Sequence, residues 1–300
     1  MWEEFLQKHY KKLLVVPILL LIFGLVVVGS FYAKTGDLFD RDVSLKGGIS
    51  ATIYEKDVDI DKLKEDLENR LGTEVIARNL RDVASNTNMG VVIEVAETGI
   101  SKDIEAGIQE SLGLELNKNN FSIEEVGSSL GETFYKDLMK AVLIAFILMA
   151  IVVAIAFRNF VPSAAVVLSA FLDILIPLSI INLLGIKLNI AGIAAFLLII
   201  GYSVDTDILL AVKVLKRKEG GNIYQRIVDA AKTGLTMTTT TGVALTVAYF
   251  VTSSFVLKQM FLIIILALLT DIITTYFMNS GIFIWYNKRK EKGNEEAFWG

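Results

Sequence analysis

The sequence predicts a multi-pass α-helical membrane protein with six transmembrane helices and one α+β domain inserted after the first helix. Three observations carry this reading. Six apolar runs each approach the ~20 residues that cross a bilayer. Between the first two lies a stretch of about 100 residues, acidic and patterned for strands and short helices. Lysine and arginine gather at one set of span ends only.

The runs are Leu13–Ala33, Leu138–Phe157, Val161–Leu184, Leu188–Val212, Gly234–Thr252 and Gln259–Tyr286. The fifth is diluted by Thr236 and Thr238 to Thr241. The first run is too long for a secretory signal and has no A-x-A cleavage site, so it reads as a retained anchor. With no cysteine among 300 residues, disulfides and thiolate metal sites are excluded.

Lys8, Lys11 and Lys12 precede the first run, and Arg158 lies in the turn after the second. Lys213, Lys216, Arg217, Lys218, Arg226 and Lys232 fill the link between the fourth and fifth. Lys288, Arg289, Lys290 and Lys292 follow the sixth, whereas the opposite side has only Lys187 and Lys258 in its short loops. Both termini, residues 1–12 and 287–300, are therefore expected in the cytoplasm, with residues 34–133 outside and 134–286 forming a five-helix bundle. Residues 34–133 hold 11 Lys/Arg against 21 Asp/Glu, while the remainder holds 18 against 12. An acidic exterior domain on a basic membrane half does not favour nucleic acid as a partner.

Within the exterior segment, Ile49, Ala51 and Ile53 alternate with polar neighbours, the period of a half-buried strand. Ile60, Leu63, Leu67 and Leu71 follow at helical spacing. Val75 to Leu80 and Val91 to Val95 read as two strands around the turn-rich Ser85 to Asn88. Ile100, Ile104, Ile108 and Leu112 mark a second helix with Ser101 as its expected N-cap, and Phe121 to Val126 closes the set. Strand, helix, strand, strand, helix, strand is the ferredoxin-like order. No nucleophile–base pair or metal cluster stands out here, so a binding or coupling module is expected rather than an enzyme. Asn120-Phe121-Ser122 is a weak glycosylation triplet.

The most informative residues interrupt the fourth run: Gly201-Tyr202-Ser203-Val204-Asp205-Thr206-Asp207. Carboxylates in a membrane helix are costly and mark proton or ion pathways. Asp173 and Asp271 lie near the middles of the third and sixth runs. Asp205 is ~25 Å from the outer end of its run at ~1.5 Å per residue. That depth matches the threonines of the fifth run, where Thr236, Thr239 and Thr240 offer hydroxyls to a carboxylate or bond their own helix carbonyls. Lys232 either snorkels to the interface or acts as counter-ion to Asp205 or Asp207. Asp205, the deeper of the two, is the first expectation for the essential acid, and Asp207 the second.

These residues resemble the SecD/SecF family of protein-export membrane proteins, in its shorter, SecF-type archaeal form. Gly201 to Val204 with the acids after them is similar to the family's G-Y-S-[VIL]-N-D-T segment. Ser44-Leu45-Lys46-Gly47-Gly48 resembles its D-[FL]-x-G-G motif, without the acid at Ser44. Glu125 to Gly131, including Gly127, resembles V-G-P-x-x-G with Ser128 in place of proline. Lys232 to Thr240 has the spacing of R-T-x-x-T-S-x-T-T. Aligned residue by residue, N-D-T becomes Asp205-Thr206-Asp207, and the arginine becomes Lys232, whose ammonium lacks the planar guanidinium fork.

The resemblance implies a resistance–nodulation–division type of fold with no cofactor. It also implies a SecD-like partner, the Sec translocation channel, unfolded secretory polypeptides and membrane lipids as surroundings, and use of the proton-motive force. The residues and the resemblance together make the expected relay Asp205, Thr206, Asp207, Lys232, Asp173 and Asp271, supported by Tyr202, Ser203 and the threonines. A proton-coupled exporter of small molecules or lipids is the alternative. The short exterior domain speaks against it.

Overall fold

In the computed structural model the described residues are 2–81, 87–216, 221–252 and 254–299. The expected turn at Ser85-Asn86 and the loop cations Arg217 and Lys218 lie outside them. The chain opens with α1 (Trp2–Leu13) and α2 (Val15–Thr35). A short α3 (Val43–Lys46) leads into β1 (Gly48–Ile53), α4 (Ile60–Leu71), β2 (Val75–Arg81), β3 (Asn88–Val95), α5 (Ser101–Leu112) and β4 (Phe121–Val126). Then come α6 (Ser128–Phe157), α7 (Phe160–Leu184), α8 (Ile190–Ala211), α9 (Ile223–Val251), α10 (Phe255–Ile273) and α11 (Ser280–Trp299). Two compact units result, Arg41–Leu138 and the remainder of the chain.

Six helical stretches are long and apolar enough to cross a membrane: α2, α6, α7, α8 with its extension to Lys216, α9, and Phe255–Lys290. Burial separates their roles. The most apolar window of α7 is 67% buried and that of α8 is 56%, against 6% for α6. The polar residues of α7 and α8 are therefore the ones enclosed by protein, and α6 stands at the edge. α2 packs on α7 where Gly24 leaves room, since a Cβ there would lie 2.7 Å from Leu175 Cγ. Pro177, inside α7, removes the helix donor to the Asp173 carbonyl. At the start of α8, the Asn189 side chain caps Gly192 N at 2.8 Å. Gln259 of α10 holds the same turn, accepting from Asn189 N at 3.1 Å and donating to the Lys187 carbonyl at 2.6 Å.

Two π-helical turns break the regular ladders. One, Val212–Lys216, extends α8. The other, Thr274–Asn279, joins α10 to α11 and is lined by buried Thr274, Thr275, Met278 and Asn279. Such widened turns concentrate at functional sites because they re-aim side chains by a fraction of a turn.

In the Arg41–Leu138 unit the sheet order is β2-β3-β1-β4, with every pair antiparallel. This is the ferredoxin-like arrangement expected from the pattern. Ile49, Ala51 and Ile53 of β1 and Val91, Ile93 and Val95 of β3 form the core with Leu63, Leu67, Ile104 and Ile108 of the helices. Asp59 caps α4 through Lys62 N at 3.2 Å. Ser101 does not cap α5: Ile100 occupies the N-cap without a side-chain bond. The Ser101 hydroxyl instead donates to Glu125, whose carboxylate also accepts Gly99 N at 2.5 Å. Those two donors hold the Glu125 carboxyl below the usual range.

Gly47 and Gly48 have φ of +86° and +120°, a region side chains strain to adopt. A Cβ on Gly47 would fall 2.2 Å from Ser128 Cα, and one on Gly131 would fall 2.7 Å from Gly47 N. The two glycine-containing motifs that flank the domain in sequence thus pack backbone to backbone.

Candidate functional site

Successive turns of α8 place Ser203, Thr206, Asp207 and Leu210 on one buried face. α7 brings Ser169 and Asp173 to that face, and the sixth span brings Asp271, Thr274, Thr275 and Asn279. All of these polar residues are at most 4% exposed. Their spacing makes this possible: 169 and 173 are one turn apart, as are 271, 275 and 279.

The hydrogen bonds form one connected network. Asp173 accepts from Ser203 at one oxygen and from Thr274 at the other, the latter at 2.9 Å. Thr206 Oγ1 is 3.0 Å from both Asp271 oxygens and 2.8 Å from the Ser203 carbonyl. Thr275 Oγ1 is 3.0 Å from Asp271 Oδ1 and 2.7 Å from Asp207 Oδ1. Asp207 Oδ1 also receives Asn279 Nδ2 at 2.6 Å and Ser169 Oγ at 3.4 Å. No ion pair reaches these acids among the described residues. Lys213 is taken up by Thr233 Oγ1 at 2.9 Å and the Asp229 carbonyl at 3.3 Å.

Proton counting gives this arrangement its chemistry. A threonine hydroxyl carries one hydrogen. Thr275 cannot donate to Asp207 and Asp271 at once, so the second contact is a hydrogen bond only when that carboxyl brings its own proton. The same count applies to Thr206 between Asp271 and the Ser203 carbonyl. Such a chain can hold and pass protons. It offers no nucleophile–base pair, and no cluster of three or more acidic, His or Cys side chains poised for a metal occurs among the described residues.

The network differs from the expected site in two ways. Asp205, two residues from Asp207, lies on the opposite, exposed face of α8 together with Gly201 and Leu198. A Cβ on Gly201 would meet nothing within 4 Å, as at Gly127 in the other unit. The fifth span keeps Thr238 buried but turns the three expected threonines outward. Thr236 and Thr240 are exposed and bond their own helix carbonyls at 2.8 Å and 3.0 Å, and Thr239 is exposed as well. Lys232 pairs with Asp229 at 3.3 Å on the surface, not with Asp205 or Asp207. Tyr202 donates to Thr241 at 2.9 Å, outside the network.

α9 instead abuts the site through Gly234, which sits against the Tyr276 hydroxyl. The sequence reading missed Ser169, Thr274, Thr275 and Asn279. A signal existed in the i, i+4 and i, i+8 recurrence of polar residues after Asp271. At the position aligned with the family's acid stands Thr206, and it still meets a carboxyl, Asp271.

Comparison with known proteins accords with this architecture. Residues 108–289 match the family model described as protein export membrane protein SecD/SecF, C-terminal. A protein-export membrane protein SecF of Methanocaldococcus jannaschii is 37% identical over 286 residues, covering 93% of this chain and 96% of that one. Its counterpart in Thermococcus gammatolerans is 33% identical, with 92% and 85% covered. Among solved structures, SecDF of Thermus thermophilus, a translocon-associated membrane protein, superposes with a TM-score of 0.76 at 20% identity. That match covers 93% of this chain and 38% of the longer SecDF chain, and at that identity it establishes the fold. The two curated relatives are both protein-export membrane proteins by name. The chain belongs to the SecD/SecF family of protein-export membrane proteins, among its SecF members.

Proposed function

We propose that this chain is the SecF-type subunit of a heteromeric complex with a SecD-like partner. Beside the Sec translocation channel, the complex uses the proton-motive force to promote export of unfolded polypeptides across the cytoplasmic membrane. Both termini are cytoplasmic and the ferredoxin-like domain is outside, in keeping with the lysine and arginine distribution.

The observation supporting proton coupling is the Thr275 hydroxyl between Asp207 and Asp271. Moving one proton along this chain changes which of the three spans are tied together. A carboxyl that alternates between charged and neutral biases two packings of the bundle, and a gradient that loads one side drives the alternation. Asp207 is the central acid in this reading, with Asp271 and Asp173 as its neighbours.

The partner surface is argued from the opposite face. A carboxylate exposed to hydrocarbon is expensive, so Asp205 is expected against protein or water in the assembled complex. Gly201 on the same face allows a close helix approach. The exposed hydroxyls of Thr236, Thr239 and Thr240 lie along the neighbouring helix.

Export of a secretory substrate into inverted membrane vesicles tests the reading, with and without an imposed gradient. Asp207→Asn should abolish the gradient-dependent share while the partner still co-purifies. Undiminished stimulation by the gradient would overturn it.

A further inference from the structure

A partly open cavity of about 430 Å³ lies among the last third of α2, the middle of α6, and α7 and α8. Its wall includes Val28 and Gly29 of α2, Val142 of α6 and Phe171 and Leu175 of α7. Tyr32 is the one lining residue with a polar side-chain atom, and it lies at the outer end, 55% exposed. The carboxyl network uses none of these residues.

The dimensions restrict what fits. Lining residues run from Leu25 to Tyr32 on α2 and from Phe171 to Leu178 on α7, each about 10 Å at 1.5 Å per residue. Leu25 and Phe171 of the wall are 51% and 38% exposed, so the slot opens onto the surface that meets lipid. Water is excluded, because it needs several polar partners and the wall supplies only a tyrosine hydroxyl. What remains in a bilayer is a hydrocarbon chain.

The position of Tyr32 orients it. Tyrosine favours the headgroup level, where its ring is buried and its hydroxyl wet. A lipid with its polar end beside Tyr32 and its tail directed towards Leu25 and Phe171 satisfies both. We propose that this cavity is a binding site for one tail of a phospholipid from the outer leaflet, held between the edge helix α6 and the α2–α7 pair.

Gly29 provides the means to close the site, since a Cβ built there meets nothing within 4 Å. The test uses the full complex in nanodiscs containing phosphatidylglycerol with a diazirine-bearing tail, followed by a chase with unlabelled lipid and illumination. Labelling of Phe171 and Leu175 should persist through the chase while that of Ile151 and Ile155, exposed on α6, is lost, because one lipid is held and the others exchange. Gly29→Phe should bring the two to parity and leave Ile151 and Ile155 unchanged. Should that variant fail to assemble, Val142→Trp fills the same space from α6 and should do likewise. Equal labelling of both regions in the unaltered complex would overturn the site. So would labelling of Phe171 that survives an assembled filling variant, or a cavity residue crosslinked to a partner helix.

Discussion

Asn279 of the sixth span donates to Asp207 of the fourth at 2.6 Å, and neither side chain is exposed. The bond depends on the π-helical turn that carries Asn279 and Thr275 towards α8. It ties the central carboxyl to the sixth span rather than to the threonines of the fifth.

Replacing Asn279 by leucine should therefore destabilise the bundle by about 1–3 kcal/mol, the usual cost of leaving a buried polar partner unmet. The thermal midpoint of the purified complex checks this. Thr246→Ala, which removes only an exposed hydroxyl bonded to its own helix, should leave the midpoint nearly unmoved.

Lys232→Ala removes a surface pair whose side chains are 74% and 62% exposed. Such pairs contribute about 0–1 kcal/mol, so stability and gradient-driven export should both persist at near-normal levels. Loss of export with intact assembly would instead show that Lys232 acts across the partner interface.

Asp205 and Asp207 should separate by phenotype. Asp205→Leu is expected to reduce co-purification of the SecD-like partner in mild detergent. Asp207→Asn should preserve co-purification and remove the response to the gradient.

The family-motif glycines should divide by contact, not by conservation of name. Gly131→Ala drives a methyl into the Gly47 backbone, and Gly47→Ala adds positive φ to a clash with Ser128. Each should cost about 1–3 kcal/mol in the Arg41–Leu138 unit. Gly127→Ala, facing open space, should be tolerated. Protease resistance of this unit distinguishes them.

The same unit also has a pH-dependent member. Burial pushes the Asp42 carboxyl up to about 6, opposed by its bond from Val43 N, with Glu94 and Glu124 adding to the rise and Arg78 reducing it. Because the folded unit holds this proton more tightly than the unfolded chain, protonation stabilises it. Stability is fully present below about pH 4, falls as pH rises to about 6, and is flat above. The loss is on the order of 3 kcal/mol from two pH units at about 1.4 each. Asp42→Asn, which keeps a competent cap, should flatten the profile and stabilise the unit at neutral pH. Hydrogen exchange of the β1 and β3 amides, corrected for intrinsic rates, measures it.

Much of this architecture was legible in the sequence. The six apolar runs and the alternation of Ile49, Ala51 and Ile53 are one-dimensional signals, and they anticipated the helices and the sheet. The acids of the site were legible as costly interruptions, but their grouping was not. Depth along a span can be counted from the sequence, which is why Asp205 was matched to the threonines of similar depth. The rotational face cannot be fixed until neighbouring helices are assigned, and Asp205 and Asp207 differ by half a turn. The π-helical turn further shifts Thr275 and Asn279, which no simple helical period registers. Ser169 carries no signal of its own, since serine is common in membrane helices for packing alone.

Proton flux through the reconstituted complex tests the central claim most directly. Vesicles carrying the unaltered complex and an imposed pH gradient should take up protons above the lipid leak, and Asp207→Asn should reduce uptake to that leak with assembly intact. Uptake by assembled Asp207→Asn at the unaltered rate would contradict a proton site made of Asp207, Asp271 and Asp173.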